Sequence, residues 1–386
     1  EPLIPIGHEI AQEQFRLPLE TEKDSYEASG KALGWKAENG KVVVSSSNVY
    51  FELDKATGMV TSYKVNGTEF FDKAFGVQPN FWRAPNDNDY GNSNPKRLQI
   101  WKESSRDFKV SDTAVREEGE TVLMSVTYDL PAGNQYLITY RIYRDGVVNV
   151  NVKFTQTDRE AEKTEVLEDT NLATFTPGKK VKKKDVFEVP RIGVRFRIPH
   201  VMNRVEYFGR GPVENYVDRN AGSMVGRYKT SVEEMYVNYV RPQENGHRTD
   251  TRWVSFTNTV GRGLLVLAEK TIGFNALRNT VEDFDSEESS HPYQWRNRSP
   301  KEVAGKNEAE AKNVLRRMTH VNDITPRDFV EVCIDMKQQG VAGYDSWGAK
   351  VQPGYTIPAN RDYVWGFTLI PIKNVGDVNK SLRYTY

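Results

Sequence analysis

The sequence predicts an all-β protein, two large antiparallel sheets packed face to face with a few short helices. Three observations carry that expectation. Apolar and polar residues alternate with period two through one segment after another. Turn signals bound those segments at short intervals, and the alternating strand–helix units of a (β/α) barrel are missing.

The elements follow in chain order. "GHEIAQEQFRLPL" (7–19) reads as a single strand, which cannot bury a face alone. The polar stretch "LETEKDSYEASGKAL" after it suits a linker, so residues 1–28 are assigned to the end of a preceding domain and 29–386 to one sandwich. "NVYFELDKATGMVTSYKVNGTEFF" (48–71) reads as strand, turn at Ala56-Thr57-Gly58, strand, and a tight Asn66-Gly67 turn. "YLITYRIYRDGVVNVNVKFTQ" (136–156) is a hairpin about Asp145-Gly146. "GVRFRIP", "RWVSFTN", "GLLVLAE", "FVEVCIDM" and "YVWGFTLIPI" supply further strands. Helical periodicity is weak, and helices are expected only in 231–240 and 307–320.

Charge narrows the partners. Lys plus Arg and Asp plus Glu each number 53, and the net charge of zero argues against nucleic acid and anionic membranes as partners. The run "GKKVKKKDV" (178–186) reads as a solvated turn. No stretch approaches the roughly 18 apolar residues of a membrane span, and the first residues lack the regions of a signal peptide. A soluble protein of the bacterial cytoplasm or periplasm is expected. Cys333 is the only cysteine, so it has no partner within the chain, and its apolar neighbours predict an inert buried thiol. The five histidines show no zinc-ligand spacing, and phosphate-binding glycine loops are missing. Aromatic residues make up 11% of the chain, which suits sugar-binding faces and β-sandwich cores alike.

Four segments concentrate polar chemistry. "NFWRAPNDNDYGN" (80–92) sets Arg83, Asp87, Asn88, Asp89 and Gly91 among aromatics. It suits either a polar turn closed by Asx contacts or the wall of a sugar cleft. "YFGRGPVENYVDRNAG" (207–222) and "YVRPQENGHRTDTRWV" (239–254) each place a Glu-Asn pair beside Gly or Pro. Carboxylates beside amides recognise hydroxyls well and equally build buried structural networks; Glu244, Asn245 and Arg248 belong to this group. "GVAGYDSWGAKVQPGYTIP" (340–358) carries Asp345, Ser346 and Trp347 on a glycine-rich loop.

In order and wording these four segments resemble the C-terminal β-sandwich of the β-galactosidases of glycoside hydrolase family 2. The opening "GHEIAQEQFRL" is similar to the last strand of the immunoglobulin-like domain that precedes that sandwich. Several expectations follow from the resemblance. The sandwich should be galactose-mutarotase-like. The parent enzyme should hydrolyse terminal β-D-galactose residues with retention, using two glutamates of a preceding barrel, so this chain supplies no catalytic residue and is inactive alone. The parent's magnesium and sodium should draw ligands from outside this region, leaving this chain without a cofactor. Its partners should be the barrel of the same polypeptide and a β-galactoside, and a homo-oligomeric parent is allowed.

The resemblance also gives Trp347 a role. In the family the tryptophan of this loop reaches to the barrel and lines the sugar site, and an indole face complements the apolar C–H patch of galactose. Arg83, Asp87, Asn88, Asp89, Gly91, Glu244, Asn245, Arg248, Asp345 and Ser346 are expected as a supporting shell. Ala342 stands where the family usually has Gly, and Tyr344 where it usually has Asp. The first restricts the backbone and the second removes a carboxylate. Two other readings compete: a free-standing sugar epimerase, for which His247 beside Glu244 is the candidate pair, and an independent carbohydrate-binding module.

Overall fold

The computed structural model describes residues 3–19, 21–106, 108–130, 133–156, 188–285, 320–345 and 348–386. A short parallel pair joins β1 (Asp24–Ser25) to the far end of the chain. A five-stranded antiparallel meander follows: β2 (Gly34–Glu38), β3 (Lys41–Ser45), β4 (Val49–Asp54), β5 (Val60–Val65) and β6 (Thr68–Glu69). Its turns fall where the sequence puts them. The Asp54 side chain accepts from the amides of Ala56 and Thr57, and Asn66 and Gly67 both have positive φ, as a tight hairpin requires.

The large sheet begins with β7 (Gln78–Asn80), and three short helices interrupt it: α1 (Asp87–Gly91), α2 (Asn94–Arg97) and α3 (Gln99–Ser104). The strands then run β8 (Lys109–Glu118), β9 (Thr121–Asp129), β10 (Gln135–Ile142) and β11 (Val148–Thr155). After them come β12 (Arg191–Pro199), β13 (Arg204–Gly211), β14 (Met224–Ser231) and the single turn α4 (Val232–Met235). β15 (Arg248–Thr257), β16 (Gly263–Leu277), α5 (Val281–Phe284), β17 (Phe329–Gln338), β18 (Tyr363–Ile372), α6 (Gly376–Ser381) and β19 (Tyr384–Thr385) complete the order.

Twelve of these strands form one sheet whose main path runs β14-β13-β15-β16-β18-β11-β10-β9-β8. The 15-residue β16 serves two neighbours. Its residues 263–268 pair with β18 and its residues 273–277 with β17, which carries β12 and β7 as a second arm. That arm folds over the main path: the Tyr136 hydroxyl of β10 donates to the Gly193 carbonyl of β12, and Phe81 packs edge-on against Tyr136. The meander closes the rest of the face, with Phe51 against Tyr140 and the Tyr63 hydroxyl on the Gly146 carbonyl. One apolar core therefore runs between all three pieces. The expected two-sheet all-β sandwich is present, with one sheet much the larger.

Several expectations need correcting. Residues 7–19 form no strand: Ile10, Phe15 and Leu17 are exposed, and Gln14 meets the edge strand β14 through its side chain, on the Val225 amide and carbonyl, with no backbone ladder. Of the helix expected over 231–240 only the turn α4 forms, opened by a Ser231–Glu234 capping box. The helix expected over 307–320 lies, apart from His320, outside the described residues, as does the basic run 178–186. Helices α1 to α3 were not foreseen. Cys333 is buried in β17 as expected, and burial pushes its thiol pKa well up. No described helix is long and apolar enough to cross a membrane.

Candidate functional site

The four polar segments converge. The floor beneath them is the polar face of β12 and β17, where the alternation puts Arg191, Arg195 and Arg197 opposite Gln338, Cys333 and Glu331. Polar residues on a strand usually face water; these are covered and must pair internally. Arg195 and Arg197 both reach Glu331, and Arg195 also reaches Glu282 of α5. Arg191 is fully buried between two acids, with Nη2 2.8 Å from Glu244 Oε1 and Nε 3.2 Å from Asp335 Oδ2. One guanidinium cannot neutralise two buried carboxylates. Burial pushes the Glu244 carboxyl up and the Asp335 carboxyl up to about 7, with Arg191 opposing in both cases.

Above this floor, Arg83 organises the first segment. It is 2% exposed, and its Nε and Nη2 grip both oxygens of Asp89 at 3.1 and 2.8 Å. Asp89 in turn accepts from the Asn86 amide while Asn86 caps the Asp89 amide, so the capping box of α1 and the ion pair share one carboxylate. Glu214 of the second segment accepts from the Gly246 amide and from the Tyr239 hydroxyl, tying second to third. Asn215 does the same through the amide and hydroxyl of Thr249. The Glu244 amide donates to the Ala84 carbonyl, tying third to first.

The first and second segments serve the fourth, and the backbone of 339–342 is held at every polar group. The Gln339 amide donates to Pro190 O and the Gly340 amide to Tyr355 O. Arg83 donates to the carbonyls of Gln339 and Gly340 at 2.8 and 2.9 Å. Asn88 donates to Val341 O at 2.9 Å. Asp218 accepts from the amides of Val341 and Ala342 at 3.0 and 2.8 Å, and Arg219 donates to Ala342 O at 2.8 Å. Ala342 has φ of 54°, the left-handed region that a Cβ disfavours by roughly 1–2 kcal/mol. Beyond this anchored stretch the chain turns outward. Tyr344 is 59% exposed, with its hydroxyl on the Lys350 carbonyl, and Asp345 accepts from the Ala349 amide at 3.1 Å. The loop returns at Gly348, whose Cα hydrogens face Gly91: a Cβ at Gly348 would lie 2.6 Å from the Gly91 carbonyl oxygen.

Most of these side chains make bonds within the domain. Asn245 accepts from the Val237 amide, and Arg248 is buried against the Tyr207 hydroxyl and the Gly246 and His247 carbonyls. Asp87 differs: its side chain is mostly exposed and pairs with Arg241 at 3.2 Å, because it lies on the outer side of α1. Ser346 and Trp347 lie outside the described residues. Sequence reasoning missed Arg191, Asp335, Asp218 and Arg219. The first two lie in strands whose alternation reads as solvent-facing. The last two stand within a quoted motif, but nothing in the sequence names the backbone they hold. His247 and Glu244, the candidate epimerase pair, are 1% and 4% exposed. Burial and the guanidiniums of Arg191, Arg248 and Arg83 push the His247 pKa well down, leaving the ring neutral and stacked on Tyr216. A sugar has no access to a base sealed in this way.

The family model described as "Beta galactosidase small chain" matches residues 45–369. The chain belongs to the β-galactosidase small-chain family. Among curated relatives, the β-galactosidase of Priestia megaterium is 33% identical over 368 residues, covering 95% of this chain and 30% of its own length. That of Streptococcus thermophilus is 28% identical over 371 residues, with the same two coverages. This small-chain domain therefore spans about 30% of the length of the relatives it matches. A solved galactose mutarotase related enzyme from Lactobacillus acidophilus shares 9% identity, with a TM-score of 0.40 over 86% of this chain and 98% of its own. A likeness that slight says nothing about the small chain's activity.

Proposed function

We propose that this chain is the non-catalytic C-terminal part of a retaining β-galactosidase, and that it completes the galactose site of the whole enzyme through the loop after residue 342. The observation that carries this reading is the fully bonded backbone of 339–342, which side chains of two separate segments hold while residues 343–345 are held out. A loop anchored at its base and exposed over residues 343–345 suits contact with something outside this domain. Trp347 is the stacking face in this proposal, and residues 1–28 end a preceding immunoglobulin-like domain.

The chemistry assigned to the chain is binding and orientation. An indole covering one face of galactose excludes water there and leaves the hydroxyls to polar partners elsewhere. The two carboxylates of retaining hydrolysis are assigned to the preceding barrel. The glutamates of the converging segments suit other work, since Glu214 and Glu244 are both committed to internal bonds. Among the described residues no three His, Cys, Asp or Glu are arranged to hold a metal ion. On the resemblance of the motifs, the parent's magnesium and sodium are assigned to ligands outside this chain. Purified chain should show no turnover of a chromogenic β-galactoside above background, while the full-length polypeptide hydrolyses it. Turnover by the chain that persists through repurification overturns the proposal.

A further inference from the structure

We propose that Asp218 and Arg219 are positioning residues for galactoside binding, because their side chains fix the left-handed turn at Ala342 from which the sugar-contacting loop departs. The proposal rests on the reading above that this loop meets the sugar. Its own basis is geometric. Two successive amides, those of Val341 and Ala342, converge on one carboxylate, each within hydrogen-bond distance. Successive N–H groups close on an anion in this way when a neighbouring residue takes the left-handed conformation. Ala342 does so with φ of 54°, and Gly343 follows at 88°.

For glycine that conformation is free; for alanine it is not, so at this position something must hold it. Asp218 holds the donor side of the turn and Arg219 the acceptor side, through the Ala342 carbonyl. The fit is close: a Cβ on Gly340 would lie 2.4 Å from Asp218 Oδ2, and a Cβ on Gly343 would lie 2.5 Å from Asn88 Nδ2. Neither clamp residue belongs to the loop that departs. Asp218 and Arg219 follow a Glu-Asn pair whose own bonds run to the third segment, so a single stretch of chain, 214–219, sets the loop relative to the rest of the shell.

If the turn relaxes, only a fraction of molecules present the loop correctly, and apparent affinity falls by that fraction. Such a loss acts on ground state and transition state together, so KM should move and kcat should not. The test uses the full-length enzyme carrying Asp218→Asn, Arg219→Met, and Asp218→Asn combined with Ala342→Gly. Asn offers one acceptor oxygen to two amides and turns its own N–H₂ toward the second. KM for a chromogenic β-galactoside should rise about tenfold in Asp218→Asn with kcat within about twofold. Hydrogen exchange of a peptide spanning 339–345 should accelerate at the same time. Glycine at 342 adopts the turn without help, so the double variant should recover most of the lost affinity.

Arg219→Met should move KM the same way by a smaller factor. Its side chain is exposed, so this variant keeps the fold and decides the matter if Asp218→Asn does not fold. An unchanged KM in both variants overturns the proposal, and so does a double variant no better than Asp218→Asn. Failure of the galactosidase reading is recognised separately, by wild-type full-length protein without activity. The exchange measurement still reports the clamp in that case, and unchanged exchange in Asp218→Asn overturns it.

Discussion

Arg83→Ala removes a side chain that ties the first segment to the base of the loop. Four hydrogen bonds go with it: two to Asp89 and one each to the carbonyls of Gln339 and Gly340. Asp89 keeps its bonds to Asn94 and to the Asn86 amide but loses its only guanidinium partner while remaining buried. Breaking a buried ion pair from one side costs about 3–5 kcal/mol, chiefly because the remaining charge is left uncompensated. An unfolding entropy of about 2.1 cal/mol/K per residue gives about 0.8 kcal/mol/K for 386 residues, so Tm should fall by about 4–6 °C. Differential scanning calorimetry of wild type and variant measures this directly. Asp89→Asn added to Arg83→Ala should restore part of the loss, since it removes the stranded charge. A Tm within about 1 °C of wild type refutes the argument that this pair bears on stability.

Two further predictions concern the floor and the rim. Asp335 is held at about 7, above its usual 3.8, so between those values the folded protein keeps a proton that the unfolded chain releases. Stability should therefore fall as pH rises from about 4 to about 7 and level off above, and Asp335→Asn should flatten that slope in denaturant titrations. Equal slopes in both proteins would remove Asp335 as the cause. Gly348→Ala adds a Cβ 2.6 Å from the Gly91 oxygen at φ of 89°, and should cost about 1–3 kcal/mol and displace the loop. Gly91→Ala should be tolerated, because its Cβ meets only the Gly348 Cα at 3.7 Å; equal thermal shifts in the two variants would contradict the asymmetry.

Much of the fold was legible because local chemistry decides it. The Asn66-Gly67 and Asp145-Gly146 turns need little beyond their own residues, and the strands beside them alternate cleanly. What escaped depends on distant neighbours. Arg191 and Asp335 sit on a polar strand face, and whether such a face meets water or a lid of loops is not written in its alternation. Helices α1 to α3 are only four to six residues long, too short to show an apolar stripe, so periodicity is silent; α1 is held by its capping box and by Arg83. A capping box, Asn86 with Asp89, was the available signal. The strand expected over 7–19 has the right residues, but it touches the edge strand β14 only through the Gln14 side chain. At the loop, the alanine at 342 announced a backbone constraint. The carboxylate that imposes it lies 124 residues earlier and was visible only as part of a motif.

The most direct test of the account is the kinetics of Trp347→Ala in the full-length enzyme. A galactose ring covering about 80 Å² of indole, at about 25 cal/mol per Å², gives roughly 2 kcal/mol, or about thirtyfold. The account predicts that KM for a β-galactoside rises by about that factor while kcat stays within about threefold and Tm hardly moves. An unchanged KM with a clearly lowered Tm would make the ring part of the sandwich core and contradict the central claim.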